Sequence, residues 1–117
     1  METLDILTND AKFLLTKMYA EYIERRNNGD TKEQATNFDN SETIHKEIMP
    51  EWKMEDVDFT ISELASNKLL NAVCGSNSYY RVAITPIAIS LMESKFKDDF
   101  KTVLSYAAKI KSLIPFI

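Results

Sequence analysis

The chain has 117 residues, 44% of them hydrophobic and 27% charged, the size and balance of one soluble globular domain with a single modest core. Its formal charge of −4 counts against indiscriminate nucleic-acid binding, though not against a local basic patch. No apolar run approaches the ~18 residues of a membrane span, the acidic opening METLDILTNDAK lacks a signal-peptide pattern, and the one cysteine excludes an internal disulfide. Together these features predict a cytoplasmic protein.

In TNDAKFLLTKMYAEYIERRNNG the apolar residues Ala11, Leu14, Leu15, Met18, Tyr19, Tyr22 and Ile23 recur at helical spacing and predict a first helix. Thr8 or Asn9 caps its start, and Asn28-Gly29 is a natural stop because both residues tolerate positive φ. The polar stretch DTKEQATNFDNSE reads as a loop with room for one turn of helix. Asp39 and Glu42 have the spacing of a capping box for a short helix in NSETIHKEIM, which Pro50 ends.

A third helix follows in MEDVDFTISELASNK, with Val57, Ile61, Leu64 and Ala65 on one face. Two strand-like runs flank GSNS, where Gly75 and Asn77 suit a turn. Thr85-Pro86 opens a fourth helix, the threonine as cap and the proline in the first turn. DDFKTVLSYAAKIKSLI forms an amphipathic C-terminal helix opened by two acids. The expected fold is therefore mainly α with a small β-hairpin: a winged helix-turn-helix plus an amphipathic C-terminal helix. It forms a single domain over residues 1–117, with the helix-turn-helix at about 41–68, the wing at about 69–85 and the C-terminal helices at about 86–114. A plain helical bundle with a surface hairpin has the same local elements.

VDFTISELASNKLLNAV resembles the recognition helix and first wing strand of winged-helix proteins, and VAITPIAISLME resembles their second wing strand and following helix. Nearly the whole chain is similar to small winged-helix proteins of Firmicutes and of their phages and mobile elements, the YjcQ-like proteins among them. Ile87-Ala88 departs from the pattern, standing where many relatives carry a glycine. The resemblance implies a fold and a genomic setting and brings no catalytic motif.

On this fold the candidate DNA contacts are Lys53, Ser62, Ser66, Asn67 and Lys68 around the third helix, and Asn77, Ser78, Tyr79 and Arg81 in the hairpin. The charge pattern argues against deep groove reading. Residues 30–58 hold nine acids and three bases, and Glu55, Asp56, Asp58 and Glu63 lie on or beside the face that would meet phosphates. The competing reading is a protein contact through Glu55, Phe59 and Glu63. Phe59 is expected to be covered by the loop around 30–40, since one exposed aromatic gives that loop something to pack on.

In the hairpin, strict alternation places Tyr80, Val82 and Ile84 toward the core and Tyr79, Arg81 and Ala83 outward. Positive charge gathers elsewhere, in Arg25 and Arg26 at the end of the first helix and in five lysines between Lys95 and Lys111.

In the C-terminal helix Phe100, Val103, Ala107, Ile110 and Ile114 are spaced as an a/d seam, widened by Leu104, Leu113, Phe116 and Ile117. The seam suggests a homodimer interface, and packing on the domain's own core gives similar spacing. Nothing points to catalysis, a cofactor or a metal. Cys74 reads as a buried structural thiol, and His45, the one histidine, reads as a surface residue. Asp56 and Asp58 project about 200° apart on a helix and do not converge.

The expected function is a dimeric, non-enzymatic DNA-binding transcriptional regulator related to phages or mobile elements; the alternative is a winged-helix domain used for protein contact through its acidic third helix, without DNA binding.

Overall fold

The computed structural model describes residues 3–97 and 99–115; Asp98, Phe116 and Ile117, which figure in the expectations for the C-terminal helix, lie outside the described residues. A 3-10 turn over Thr3–Ile6 precedes α1 (Asn9–Asn27), α2 (Lys32–Thr36), α3 (Ser41–Glu47), α4 (Met54–Ser66), the strands β1 (Leu70–Cys74) and β2 (Tyr79–Ile84), α5 (Pro86–Phe96) and α6 (Phe100–Leu113). The fold is mainly helical with one antiparallel hairpin. The third helix of the sequence reading is α4, and the turn anticipated in the polar loop is α2, closed by a capping box between Thr31 and Gln34.

Helix α1 is the axis of the molecule. Leu14, Leu15, Met18 and Tyr19 are fully buried because α2, α4, α5 and α6 all pack against this one helix. Its apolar residues therefore spread around the helix instead of keeping to one stripe. Thr8 caps its start, its hydroxyl accepting from the Ala11 amide, and Gly29 at φ 98° carries the chain out. Helices α5 and α6 begin in the same manner, at Thr85 before Pro86 and at Asp99.

The a/d spacing in α6 is used inside the chain. Val103, Ala107 and Ile110 are buried in the core that α6 builds with α1, and Phe100 and Ile114 pack partly against it. Helix-on-core packing, the other reading of that spacing, accounts for Val103, Ala107 and Ile110 and in part for Phe100 and Ile114.

The arm from α2 to α3 is held at both ends. The Arg25 guanidinium donates to the carbonyl of Asn37 at 2.7 Å and lies 4.4 Å from the centre of the Phe38 ring, which is itself buried. The Phe38 amide then donates to the Val82 carbonyl at 2.9 Å, and the Val82 amide donates to Asp39 at 2.8 Å. Residues 37–39 thus lie along the outer side of β2 as a short third strand, with Asn37 bridged to Ala83.

To make this turn Asp39 adopts φ 63°, a left-handed conformation that aspartate tolerates better than most residues. The helix cap consequently falls one residue later than the expected capping box. Asn40 accepts from the Thr43 amide at 2.9 Å, and Asp39 is not the cap.

Two further expectations fail for physical reasons visible in the packing. Register in the hairpin pairs Leu70 with Ile84, Ala72 with Val82 and Val73 with Arg81, then jumps to Cys74 with Tyr79. Tyr80 is the extra residue of a β-bulge, and a bulge shifts every residue beyond it to the opposite face. Val82 and Ile84 are buried as alternation requires, but Tyr80 is turned out and Tyr79 is half-buried. Cys74, near the hairpin tip beyond the core, is exposed, so it is no buried thiol.

His45 is half-buried. Its Nε2 lies 2.6 Å from the Trp52 carbonyl, which only accepts, so that nitrogen carries the proton. This bond ties α3 to the turn before α4. Trp52 in turn stacks on Phe13 of α1 with ring centres 5.3 Å apart.

Candidate functional site

The candidate contacts fall into three groups once placed on α4 and the hairpin. The first group is spent internally. Ser62 Oγ and the Tyr79 hydroxyl share a hydrogen bond, and the Tyr79 amide donates to Ser41 Oγ at 3.1 Å, so both residues join α4, β2 and the start of α3. Asn67 Nδ2 donates to the Glu63 carbonyl at 2.9 Å as part of the end of α4. Polar side chains engaged in this way do not read base edges.

Glu63 belongs with them. Its two carboxylate oxygens accept from the Thr8 amide at 2.8 Å and the Thr8 hydroxyl at 2.7 Å, so α4 clamps the capped start of α1. An anion here also suits the positive end of α1. Glu63 is thus removed from the protein-contact set as a free carboxylate.

The second group is basic or polar and exposed. Lys53 and Lys68 stand at the two ends of α4, Ser66 on its last turn, Asn77 at the hairpin tip and Arg81 on β2, all exposed; Ser78, in the same tip, is half-buried. Among the described residues Lys53, Lys68 and Arg81 form no ion pair. Lys68 has φ 64°, which lets the chain turn from α4 into β1. Lys53 occupies the cap position of α4 without supplying a side-chain cap bond, and the acids Glu55 and Asp56 in the first turn offset that omission electrostatically.

The third group is Glu55 and Phe59. Val57, Thr60, Ile61 and Leu64 turn one face of α4 into the core and leave the opposite face to Glu55, Phe59, Ser62 and Ser66, one helical turn apart. Phe59 is 75% exposed, so the arm around 30–40 does not cover it. Arg25 and β2 hold that arm on another side of the molecule. Beside Phe59 stand the exposed carboxylates of Glu55 and Asp56. Asp58, immediately before Phe59, buries one carboxylate oxygen with no hydrogen-bond partner among the described residues.

Sequence reasoning missed two features. Tyr80, 61% exposed, folds its ring over Gly75, where an added Cβ would lie 3.2 Å from both that ring and the Ser78 carbonyl. The glycine in the turn signals this contact only in hindsight. An open cleft of about 510 Å3 lies between α1, α2, the hairpin and α5, lined by Tyr22, Lys32, Glu33, Asn71, Ile89 and Glu93. It sets one lysine against two glutamates, and no local motif marks it. Among the described residues no group of three or more His, Cys, Asp and Glu side chains converges on a metal position, and no helix is long and apolar enough to cross a membrane.

Comparison of this chain with protein-family models, with curated proteins and with solved structures finds no match to any of them.

Proposed function

We propose that the chain is a winged helix-turn-helix module of a non-enzymatic regulator, and that it recognises a protein through the outward face of α4. Support for the winged-helix reading comes from element order: α3 and α4 form the helix pair, β1 and β2 the wing, and residues 37–39 a third strand beside it. Phe59 carries the functional reading. A large aromatic side chain 75% exposed on an otherwise polar helix face is an anchor awaiting a pocket.

Glu55 and Asp56 form an acidic rim on one side of that anchor, so the complementary surface is basic with an apolar recess at its centre. The polar residues a groove reader would use, Ser62 and Asn67, are already bonded within the chain.

A DNA-binding regulator is the second reading, favoured by the exposed cations Lys53, Lys68 and Arg81 at the ends of α4 and on the wing. Three phosphate contacts would give a salt dependence of slope about −3 in log–log form.

One experiment separates the two. A photo-crosslinking phenylalanine analogue at position 59, irradiated in cells expressing the chain, is expected to form a discrete protein adduct that Glu55→Lys diminishes. The protein reading fails if no protein adduct forms while a ~30-bp duplex at low salt binds in a manner abolished by Lys68→Glu with Arg81→Glu.

A further inference from the structure

The hairpin has two edges, and they differ. On the β2 side, Val82 exchanges hydrogen bonds with Phe38 and Asp39, so that edge is closed by the arm. On the β1 side no backbone partner is present among the described residues.

The backbone hydrogen bonds fix which groups face outward there. The Thr85 amide donates to the Leu69 carbonyl at 3.1 Å, so residues 69, 71 and 73 of the first strand turn their N–H and C=O toward β2. Leu70, Ala72 and Cys74 therefore direct theirs away from it. Because the bulge residue Tyr80 belongs to β2, β1 keeps this alternation along its length.

An open edge is ordinarily blunted by charge, by proline or by a bulge in the edge strand itself. None of these is present. From Leu69 to Tyr80 the chain reads LLNAVCGSNSYY, twelve residues without a charge or a proline in a molecule that is 27% charged. Val73 is 41% exposed on this strand. In a chain of net charge −4, this uncharged edge brings no like charges together when two copies meet along it.

We propose that β1 is a self-association edge, on which two copies of the chain pair antiparallel about Ala72, setting Ala72 against Ala72, Leu70 against Cys74 and Asn71 against Val73. This register uses the outward groups, since residues 70, 72 and 74 of one copy meet 74, 72 and 70 of the other across a two-fold axis. The joined hairpins form one continuous sheet closed at both ends by the 37–39 arms. Cys74 faces Leu70 across the axis, so the association needs no disulfide.

The test is sedimentation velocity in the presence of a reductant, on the whole chain and on two variants. Ala72→Pro removes an N–H that the intramolecular ladder does not use, which is where an edge strand tolerates proline. Val73→Lys adds a charge on an exposed side chain and covers the case in which the proline variant fails to fold. The wild-type chain is expected to dimerise reversibly at about 100 µM, and each folded variant to weaken association by about tenfold or more with its far-ultraviolet circular dichroism unchanged. A wild-type chain monomeric up to about 0.5 mM, association lost on reduction, or Val73→Lys associating as tightly as wild type would each overturn the proposal.

Discussion

Helices α4 and α6 are both amphipathic and both present themselves as contact surfaces, yet the molecule treats them oppositely. Most of the apolar face of α6 packs into the core against α1, with Val103, Ala107 and Ile110 buried and Leu113 left mostly exposed in its last turn. Helix α4 also sinks a face into the core but leaves Phe59 stranded on the opposite side. Periodicity reports that a face is apolar and is silent about what covers it. A single aromatic off the apolar stripe carries more functional information than a well-spaced seam, because burial within the fold does not require it.

Truncating one residue on each helix separates a buried role from an exposed one. Ile110→Ala is expected to cost about 2–3 kcal/mol in chemical denaturation, as a buried side chain leaving a cavity does. Phe59→Ala should stay within about 0.5 kcal/mol of wild type while abolishing the proposed partner contact. Equal destabilisation by the two would mean that Phe59 is part of the core after all.

Next in size is the clamp from α4 to α1. Glu63→Ala removes both acceptors from Thr8 and is expected to lower stability by about 1 kcal/mol, a charge-assisted bond discounted for its exposure. Thermal unfolding of Glu63→Ala and Thr8→Ala singly and together should show less than additive losses, since the residues share one interaction.

The helix starts provide a finer contrast. Asp99 caps α6 by accepting from the Thr102 amide, whereas Lys53 offers α4 no side-chain cap. Lys53→Ser is accordingly expected to stabilise the protein by about 0.5–1 kcal/mol.

Asp99 gives the smallest effect. Hydrogen bonds from the Thr102 hydroxyl and amide hold its carboxyl below the usual carboxylate range. A lowered folded-state pKa contributes stability that is present above the unfolded value of about 3.9 and is lost as pH falls through the folded value. An NMR titration should therefore show the Thr102 amide leaving its capped position only on acidification below about pH 4, with Asp99→Asn flattening that response.

Where local chemistry decides an element, the sequence makes it legible. Thr8 and Thr85-Pro86 open helices because a hydroxyl cap acts within three residues, and Asn28-Gly29 ends one because a glycine accepts positive φ. Where a distant partner decides, the pattern misleads. Asp39 has the spacing of a cap, but pairing with Val82 forty-three positions away twists it out of that role. Tyr80 looks inward by alternation until one inserted residue resets the phase.

The same holds for the candidate site. The acidic character of α4 is visible in its letters. That Ser62 and Glu63 are already engaged, and that the arm leaves Phe59 uncovered, depends on the placement of Tyr79, Thr8 and the arm.

The arm itself supplies a built-in gauge. Val82 donates its amide to Asp39 and not to β1, so fraying of the hairpin ladder leaves that proton shielded, while release of the arm, Phe38 included, from Arg25 uncovers it. Amide exchange at Val82 thus times one event and exchange at Ala83, which faces β1, times another. A pair of adjacent protons on one strand separates breathing of the hairpin from unfastening of the segment that holds it to α1.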